Sequence, residues 1–399
     1  MLRSYRFSNL YSFRESTDID LRKGLREPQS DWWANDAGDQ RTAKVMAVIG
    51  PNGSGKTSLL NALVFLHWFM LASFVNNKPG DALPFSPHAL SMGEPSELEV
   101  EFVADLDGER KLWKYELRLT PQMVLRETLH LRRKRWVNVF DRVWDEAAGS
   151  YEVKGAEFAA LPKTTVNERK DASLISIGIQ HGLPTAKAFV RMPVYSNIVA
   201  LGKEWSDLTQ LQRATTFFFD NPQHHQTLNN LLLAWDLGLS DVELREFSEP
   251  DADGNLKPKR LAFGIHKGRD DKRYQLAFVR ESRGTQAAFV LLSRLIPVLA
   301  DGGLAVIDEF ESDLHPHMLA PILDLFANPA TNPHNAQLLF TSHSMEVLHL
   351  LPKSQVMLVE KDEFNESQAW RLDEIEGIRS DDNYYAKYMA GAYGAVPRL

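Results

Sequence analysis

Residues 44–67 read KVMAVIGPNGSGKTSLLNALVFLH, and this stretch decides the fold. Lys44 to Ile49 is a short apolar strand that runs straight into a glycine-rich turn, and an apolar helix sets out from Ser58. The turn Gly50-Pro51-Asn52-Gly53-Ser54-Gly55-Lys56-Thr57 has the spacing of a phosphate-binding loop. Its glycines let the backbone curl so that N–H groups meet phosphate oxygens, and the helix start adds its partial positive charge. On this reading Gly50, Asn52, Gly53, Ser54, Gly55 and Ser58 bind a nucleotide, and Lys56 bridges its β- and γ-phosphates. The hydroxyl of Thr57 ligates Mg²⁺. The alternative is a chance glycine-rich turn; the strand before it and the helix after it speak against that. Asn77-Lys78-Pro79-Gly80 lacks the Asp of a guanine-reading motif, which favours ATP.

Further along the chain, the apolar run LAVI at 304–307 ends in Asp308 and Glu309. A buried strand in a parallel or mixed sheet delivers its last carboxylate to the edge where ligands bind. Asp308 is expected to hold Mg²⁺ through water, and Glu309 to polarise the attacking water as general base. By itself such a run is weak, because acidic strand ends are common and mostly solvated.

Ahead of both landmarks, residues 1–23 alternate like strands, and the polar residues 24–42, with Gly24, Pro28 and Gly38, read as a loop. Residues 97–144 are β-rich with a hairpin turn at Asp107-Gly108; helical spacing covers 209–239, and a second hairpin spans 261–279. Residues 145–190 give no clear pattern. Helices are expected at 287–299 and 317–327, and strands in QLLFT and QVMLVEKD. The expected fold class is α/β: a discontinuous mixed-sheet core made of residues 1–75 and 281–399, with residues 76–280 as an inserted β-hairpin and helical lobe.

Glu281-Ser282-Arg283-Gly284-Thr285-Gln286 stands just ahead of an apolar helix, between the two landmarks. It resembles the signature motif of ABC-type ATPases, which contacts the γ-phosphate held by the opposite subunit. The plain alternative is a helix cap, the usual work of Ser before a helix. Ser312-Asp313-Leu314-His315-Pro316 resembles the D-loop of the same enzymes, and Phe340-Thr341-Ser342-His343-Ser344 their switch-histidine motif. The order of motifs resembles that of the ABC/SMC-like ATPases. More narrowly, the opening LRSYRFSNLYSFRE, the strand LVEKD and the ending KYMAGAYGAVP look like stand-alone bacterial AAA-family ATPases of abortive-infection and anti-phage systems. These are similar to the ATPase half of the overcoming-lysogenization-defect nucleases. The resemblance implies a P-loop NTPase of ABC/SMC-head type with ATP and Mg²⁺ as cofactors. It further implies that Ser282, Gly284, Thr285, Gln286 and Asp313 serve the nucleotide of a facing copy, and that His343 assists Glu309. Gln180 is a weak candidate for the Q-loop. The signature departs from the two glycines usual in transporters, which leaves partner and trigger open.

Composition limits the alternatives. The chain has 399 residues, 44% of them hydrophobic, enough for a full core. Net charge is −8, which argues against indiscriminate coating of nucleic acid. No cysteine is present, so disulfides and thiolate metal sites are excluded. LLNALVFLHWFMLASFV at 59–75 imitates a membrane span, but it follows a loop that must face nucleotide and contains Asn61, His67 and Ser73. A helix packed between two layers explains it equally well, and a cytoplasmic location without membrane contact is expected. The basic clusters Leu131–Trp136 and Lys257–Arg260 read as solvated strand faces, with phosphate contact as the alternative.

Two functions remain. One is an ATP-hydrolysing sensor or regulator, closing as a head-to-tail dimer or larger oligomer on a separate effector, a nuclease or toxin encoded nearby. The other is a DNA-repair or chromosome-associated ATPase acting directly on DNA; it is disfavoured by the lack of coiled-coil heptads.

Overall fold

The computed structural model describes residues 1–23, 29–35, 40–199, 202–203, 207–250, 255–269 and 272–397. Gly24, Pro28 and Gly38 of the expected loop lie outside the described residues.

Val45–Ile49 is apolar at every position because it is covered on both faces. It lies between Gln337–Ser342 and Val356–Lys361, pairing in parallel with each. The six-stranded sheet runs Val194–Ser196, Leu304–Ile307, Gln337–Ser342, Val45–Ile49, Val356–Lys361, Ser367–Arg371, and only the last strand is antiparallel. Alternate residues serve two cores: Met46 and Val48 face one, Val45, Ala47 and Ile49 the other.

On the first face lies the helix Lys56–Asn76, and beyond it a seven-stranded antiparallel sheet. Phe65, Phe69 and Met70 of the helix pack with Tyr5, Phe7, Leu117 and Leu129 of that sheet. Among the described residues this is the one helix long and apolar enough to cross a membrane. Its apolar character is used between two sheets, as a helix hydrophobic all round requires. Tyr5 Oη donates to the Leu59 carbonyl at 3.1 Å, and Ser73 Oγ accepts from the Ser173 amide at 2.9 Å.

The other face carries the helices Arg283–Asp301 and Leu319–Ala327, with Asp207–Asp220 and His225–Ala234 outside them. Asn221-Pro222 breaks the helical stretch expected over 209–239 into these last two, because proline cannot donate to the turn before it. A three-stranded meander, Asp241–Pro250, Leu256–Lys267 and Arg273–Ala277, leads to the start of Arg283–Asp301.

The sheets cut across the boundaries expected at 75 and 280. Strands within 96–154 complete the antiparallel sheet begun by Leu2–Ser8, which pairs with Ser96–Leu106 with Tyr5 opposite Val100. Val194–Ser196 joins the parallel sheet, and 207–277 packs on its far face. Leu2–Ser8 has two hydrogen-bonding edges, one taken by Thr17–Asp20 and the other by Ser96–Leu106. At Asp107 and Gly108 φ is +56° and +78°, as a two-residue hairpin turn of type I′ demands.

Candidate nucleotide site

The loop from Ile49 to Lys56 is cramped from behind. A Cβ on Gly50 would lie 2.0 Å from the Val359 carbonyl oxygen, and one on Gly55 2.5 Å from Ser367 Oγ, where φ is already +112°. Ser367 Oγ donates to the Ser54 carbonyl at 2.7 Å and lies 2.8 Å from Ser12 Oγ, while its amide donates to the Ser12 carbonyl. Two serines 355 positions apart thus hold the loop's last turn. No side chain caps the helix at Gly55 and no acid stands in its first turn, so its leading amides are left for an anion. Asn52 and Gly53 are exposed at the loop's crest, Ser58 is half-buried in the first helical turn, and Ser54 Oγ is buried with no hydrogen-bond partner among the described residues.

Lys56 Nζ donates to the carbonyls of Gly50 and Pro51 at 2.8 and 2.9 Å. Burial lowers its pKa, and the carboxylates of Asp308, Glu309 and Glu311 pull it back up. Asp308 closes the strand Leu304–Ile307 and is 2% exposed. Its Oδ2 accepts from Thr57 Oγ1 at 2.9 Å and its Oδ1 from Thr341 Oγ1 at 2.6 Å. Asn197 grips its backbone twice, Nδ2 donating to the Asp308 carbonyl and Oδ1 accepting from the Asp308 amide, both at 2.8 Å.

Thr341 Oγ1 also accepts from the Glu309 amide at 2.7 Å. This helps fix Glu309 at φ +49°, a left-handed conformation that costs a non-glycine residue on the order of 1 kcal/mol. Glu309 opens onto a cavity of about 370 Å³ that Gln286 and Asp313 also line. Glu311 accepts from the His343 amide and, at 3.2 Å, from the Ser344 amide. It therefore holds the loop that presents His343, which is exposed at the end of Gln337–Ser342.

Ser282 Oγ accepts from the Thr285 amide at 3.1 Å, so the helix-cap alternative is realised within the chain. Gly284 packs against the loop at Asp313: a Cβ there would sit 3.1 Å from the Asp313 carbonyl oxygen, and Asp313 is itself at φ +63°. Gln286 Nε2 donates to the Glu281 carbonyl. Among the described residues, the side-chain hydrogen bonds of Ser282, Thr285 and Gln286 stay within 281–286, and none reaches the chain's own phosphate-binding loop. Ser282 and Arg283 are exposed.

Thr57, Asp308, Thr341 and Glu309 thus form one bonded network, with Lys56 beside it and Glu311 and His343 on the same sheet edge. Gln180 does not join them. It ends the helix Leu174–Gln180, whose Ser176 Oγ accepts from the Phe74 amide, so it belongs to the far end of Lys56–Asn76. Asn197, which the sequence reading passed over, stands at the site instead. Orphaned Ser54 Oγ, uncapped helix amides and a carboxylate bonded only through hydroxyls fit a phosphate chain with a divalent cation. Mg²⁺ keeps waters and substrate oxygens, so Thr57 and Asp308 suffice as its protein contacts.

The family model described as "AAA domain, putative AbiEii toxin, Type IV TA system" matches residues 45–164 and 193–349. Among solved structures, the SMC head domain from Thermotoga maritima is 15% identical with a TM-score of 0.42, covering 93% of this chain and 98% of its own. The Smc head domain with a coiled coil and joint derived from Pyrococcus yayanosii is 10% identical with a TM-score of 0.46, covering 98% and 99%. No curated protein matches the chain.

Proposed function

The chain belongs to the AAA-domain family that carries the AbiEii toxin description, and on that footing we propose that it binds Mg·ATP at Gly50–Ser58 and hydrolyses it between two copies of itself. The observation that carries this reading is Asp308: a buried carboxylate held by Thr57 and Thr341 hydroxyls, next to Lys56 and one residue before Glu309.

Bound Mg²⁺ supplies charge neutralisation at the phosphates. Thr57 and Asp308 hold it, and Lys56 exchanges two carbonyl acceptors for phosphate oxygens. Glu309 takes the proton of the attacking water, its direction set by the Thr341 contact to its amide. His343 reaches the same edge on a loop that Glu311 fixes. Ser282, Gly284, Thr285 and Gln286 form the first turn of a helix that presents exposed residues away from its own loop, which supports a role toward a facing copy's nucleotide. Asp313, packed on Gly284, couples that surface to Glu309.

The dimer closes on ATP and relaxes after hydrolysis, and this change holds or releases a separate effector, a toxin or nuclease, in anti-phage defence in the cytoplasm. The toxin–antitoxin description of the family supports that setting. The test is Glu309→Gln, which keeps shape and removes the base. It is expected to bind ATP, turn over about 10²–10⁴-fold more slowly, and run in light scattering as a dimer only with ATP. Wild-type turnover, or a monomer at saturating ATP, contradicts the proposal.

A further inference from the structure

The two basic clusters of the sequence differ in their surroundings. In Lys257–Arg260, Lys259 pairs with Glu249 at 2.6 Å, and Arg260 with Asp220 and Glu246 at 2.8 and 3.0 Å. The antiparallel sheet treats its surface cations in the same way: Arg6 pairs with Asp18, Arg118 with Glu97 and Arg126 with Asp141. Arg132, Arg133, Lys134 and Arg135 are four consecutive exposed cations at the turn between Met123–Arg132 and Trp136–Asp145. Among the described residues none of the four is in an ion pair. Among the described residues no acid pairs with them, so their mutual repulsion favours anions supplied from outside.

Three of them, Arg132, Arg133 and Lys134, border a groove of about 870 Å³. Arg3, Arg22, Arg110 and Lys111 line it as well, and its two acids, Glu101 and Glu109, lie 3.9 Å from Arg3 and 3.5 Å from Lys111. The groove is therefore strongly positive on a chain whose net charge is −8. Trp136 stands in the same groove, half-buried, with the Arg132 guanidinium 5.5 Å and Lys114 Nζ 5.9 Å from its ring centroid.

We propose that this groove binds single-stranded nucleic acid, the cations taking successive phosphates and the Trp136 ring stacking on a base. A basic track with an aromatic platform suits a single strand, whose bases are free to stack. A duplex keeps its bases stacked inside and offers the ring no open base face. The site is independent of the ATP reading. Its wall residue Arg3 follows Leu2, whose amide donates to Gln337 Oε1 where Gln337–Ser342 begins, at the sheet end opposite the nucleotide loop.

The probes are fluorescent 20-nucleotide single strands, one DNA and one RNA, with a DNA duplex of equal length, titrated into the full chain at several salt concentrations. Single strands of one or both sugars are expected to bind, with the duplex at least tenfold weaker. The Arg132→Glu/Lys134→Glu double variant is expected to lose tenfold or more and to flatten the salt dependence by about 1.4 in log K per log salt, for two phosphate contacts at ~0.7 each. Trp136→Ala should lose severalfold at every salt concentration with the slope unchanged. Lys257→Glu/Lys259→Glu should bind as wild type, and circular dichroism checks that each variant is folded. No binding by wild type, a duplex bound as tightly as the single strand, or equal losses from the two double variants each overturn the proposal. ATP affinity is measured in the same samples, so failure here leaves the nucleotide reading separately judged.

Discussion

Two buried carboxylates, Glu127 in the antiparallel sheet and Asp308 at the parallel sheet's edge, are held in opposite ways. Glu127 is fully buried and accepts from the Tyr115 hydroxyl at 2.9 Å, the Leu174 amide at 2.8 Å and Arg142 Nη1 at 3.4 Å. Arg142 in turn donates to the carbonyls of Val166, Arg169 and Ala172 and lies 3.8 Å from the Tyr151 ring centroid. Burial raises the Glu127 pKa, and Arg142, the Leu174 amide and Tyr115 oppose that rise. Asp308, nearly as buried, is bonded through two neutral hydroxyls, and among the described residues no cationic side chain lies within ion-pair distance. A carboxylate compensated inside the chain fastens one element to another. A carboxylate bonded only by hydroxyls keeps its charge available for a cation from outside.

This contrast can be broken by a crossed pair of substitutions. Asp308→Asn is expected to cut ATP turnover about a thousandfold, on the order of 4 kcal/mol of transition-state stabilisation. The thermal midpoint without nucleotide should stay nearly put, because Asn keeps the side chain's shape and no ion pair within bonding distance is broken. Arg142→Met is expected to lower stability by about 3–5 kcal/mol, since it strands Glu127 without its cation. Turnover per folded molecule should be kept. Urea melts and steady-state rates on both variants decide it, and the reverse assignment of losses would break the comparison.

A smaller effect sharpens it. Asn197→Ala removes two hydrogen bonds to the Asp308 backbone and is expected to cost about 1–3 kcal/mol. If Asn197 positions Asp308 for the metal, the loss falls mainly on the Mg²⁺ concentration needed for half-maximal rate. An equal loss of stability with an unchanged Mg²⁺ requirement would make Asn197 ordinary glue.

Legibility followed sequence distance. Gly50 to Thr57 could be read because the loop's demands are contiguous: glycines where neighbours crowd, then a cation and a hydroxyl on one helical turn. Asp308 and Glu309 could be read because a fully apolar strand ends on them. Asn197 follows a strand of only three residues, too short to show a period, although its position beside Leu304–Ile307 makes it the partner of Asp308. Ser12 and Ser367 meet only through folding, and nothing in either neighbourhood announces the other. The strands within 97–144 could be read as strands, but the expected boundary at 75 separates them from the strands of residues 1–23 with which they share a sheet. Pairing between Leu2–Ser8 and Ser96–Leu106 is set by which apolar faces need covering across some ninety residues, and local alternation carries no record of that choice.

The most direct test of the central claim, that one copy's signature completes another copy's nucleotide site, is the turnover of a mixture. Ser282→Arg blocks the signature and leaves the phosphate-binding loop intact; Lys56→Ala does the reverse. Each variant alone is expected to be inactive. When equal amounts are mixed with random pairing, about half the dimers are hybrid and each hybrid has one sound site of two, so up to about a quarter of wild-type turnover should return. A Ser282→Arg protein that hydrolyses ATP at the wild-type rate by itself would contradict the account and leave Ser282 with only the Thr285 cap it is seen to make.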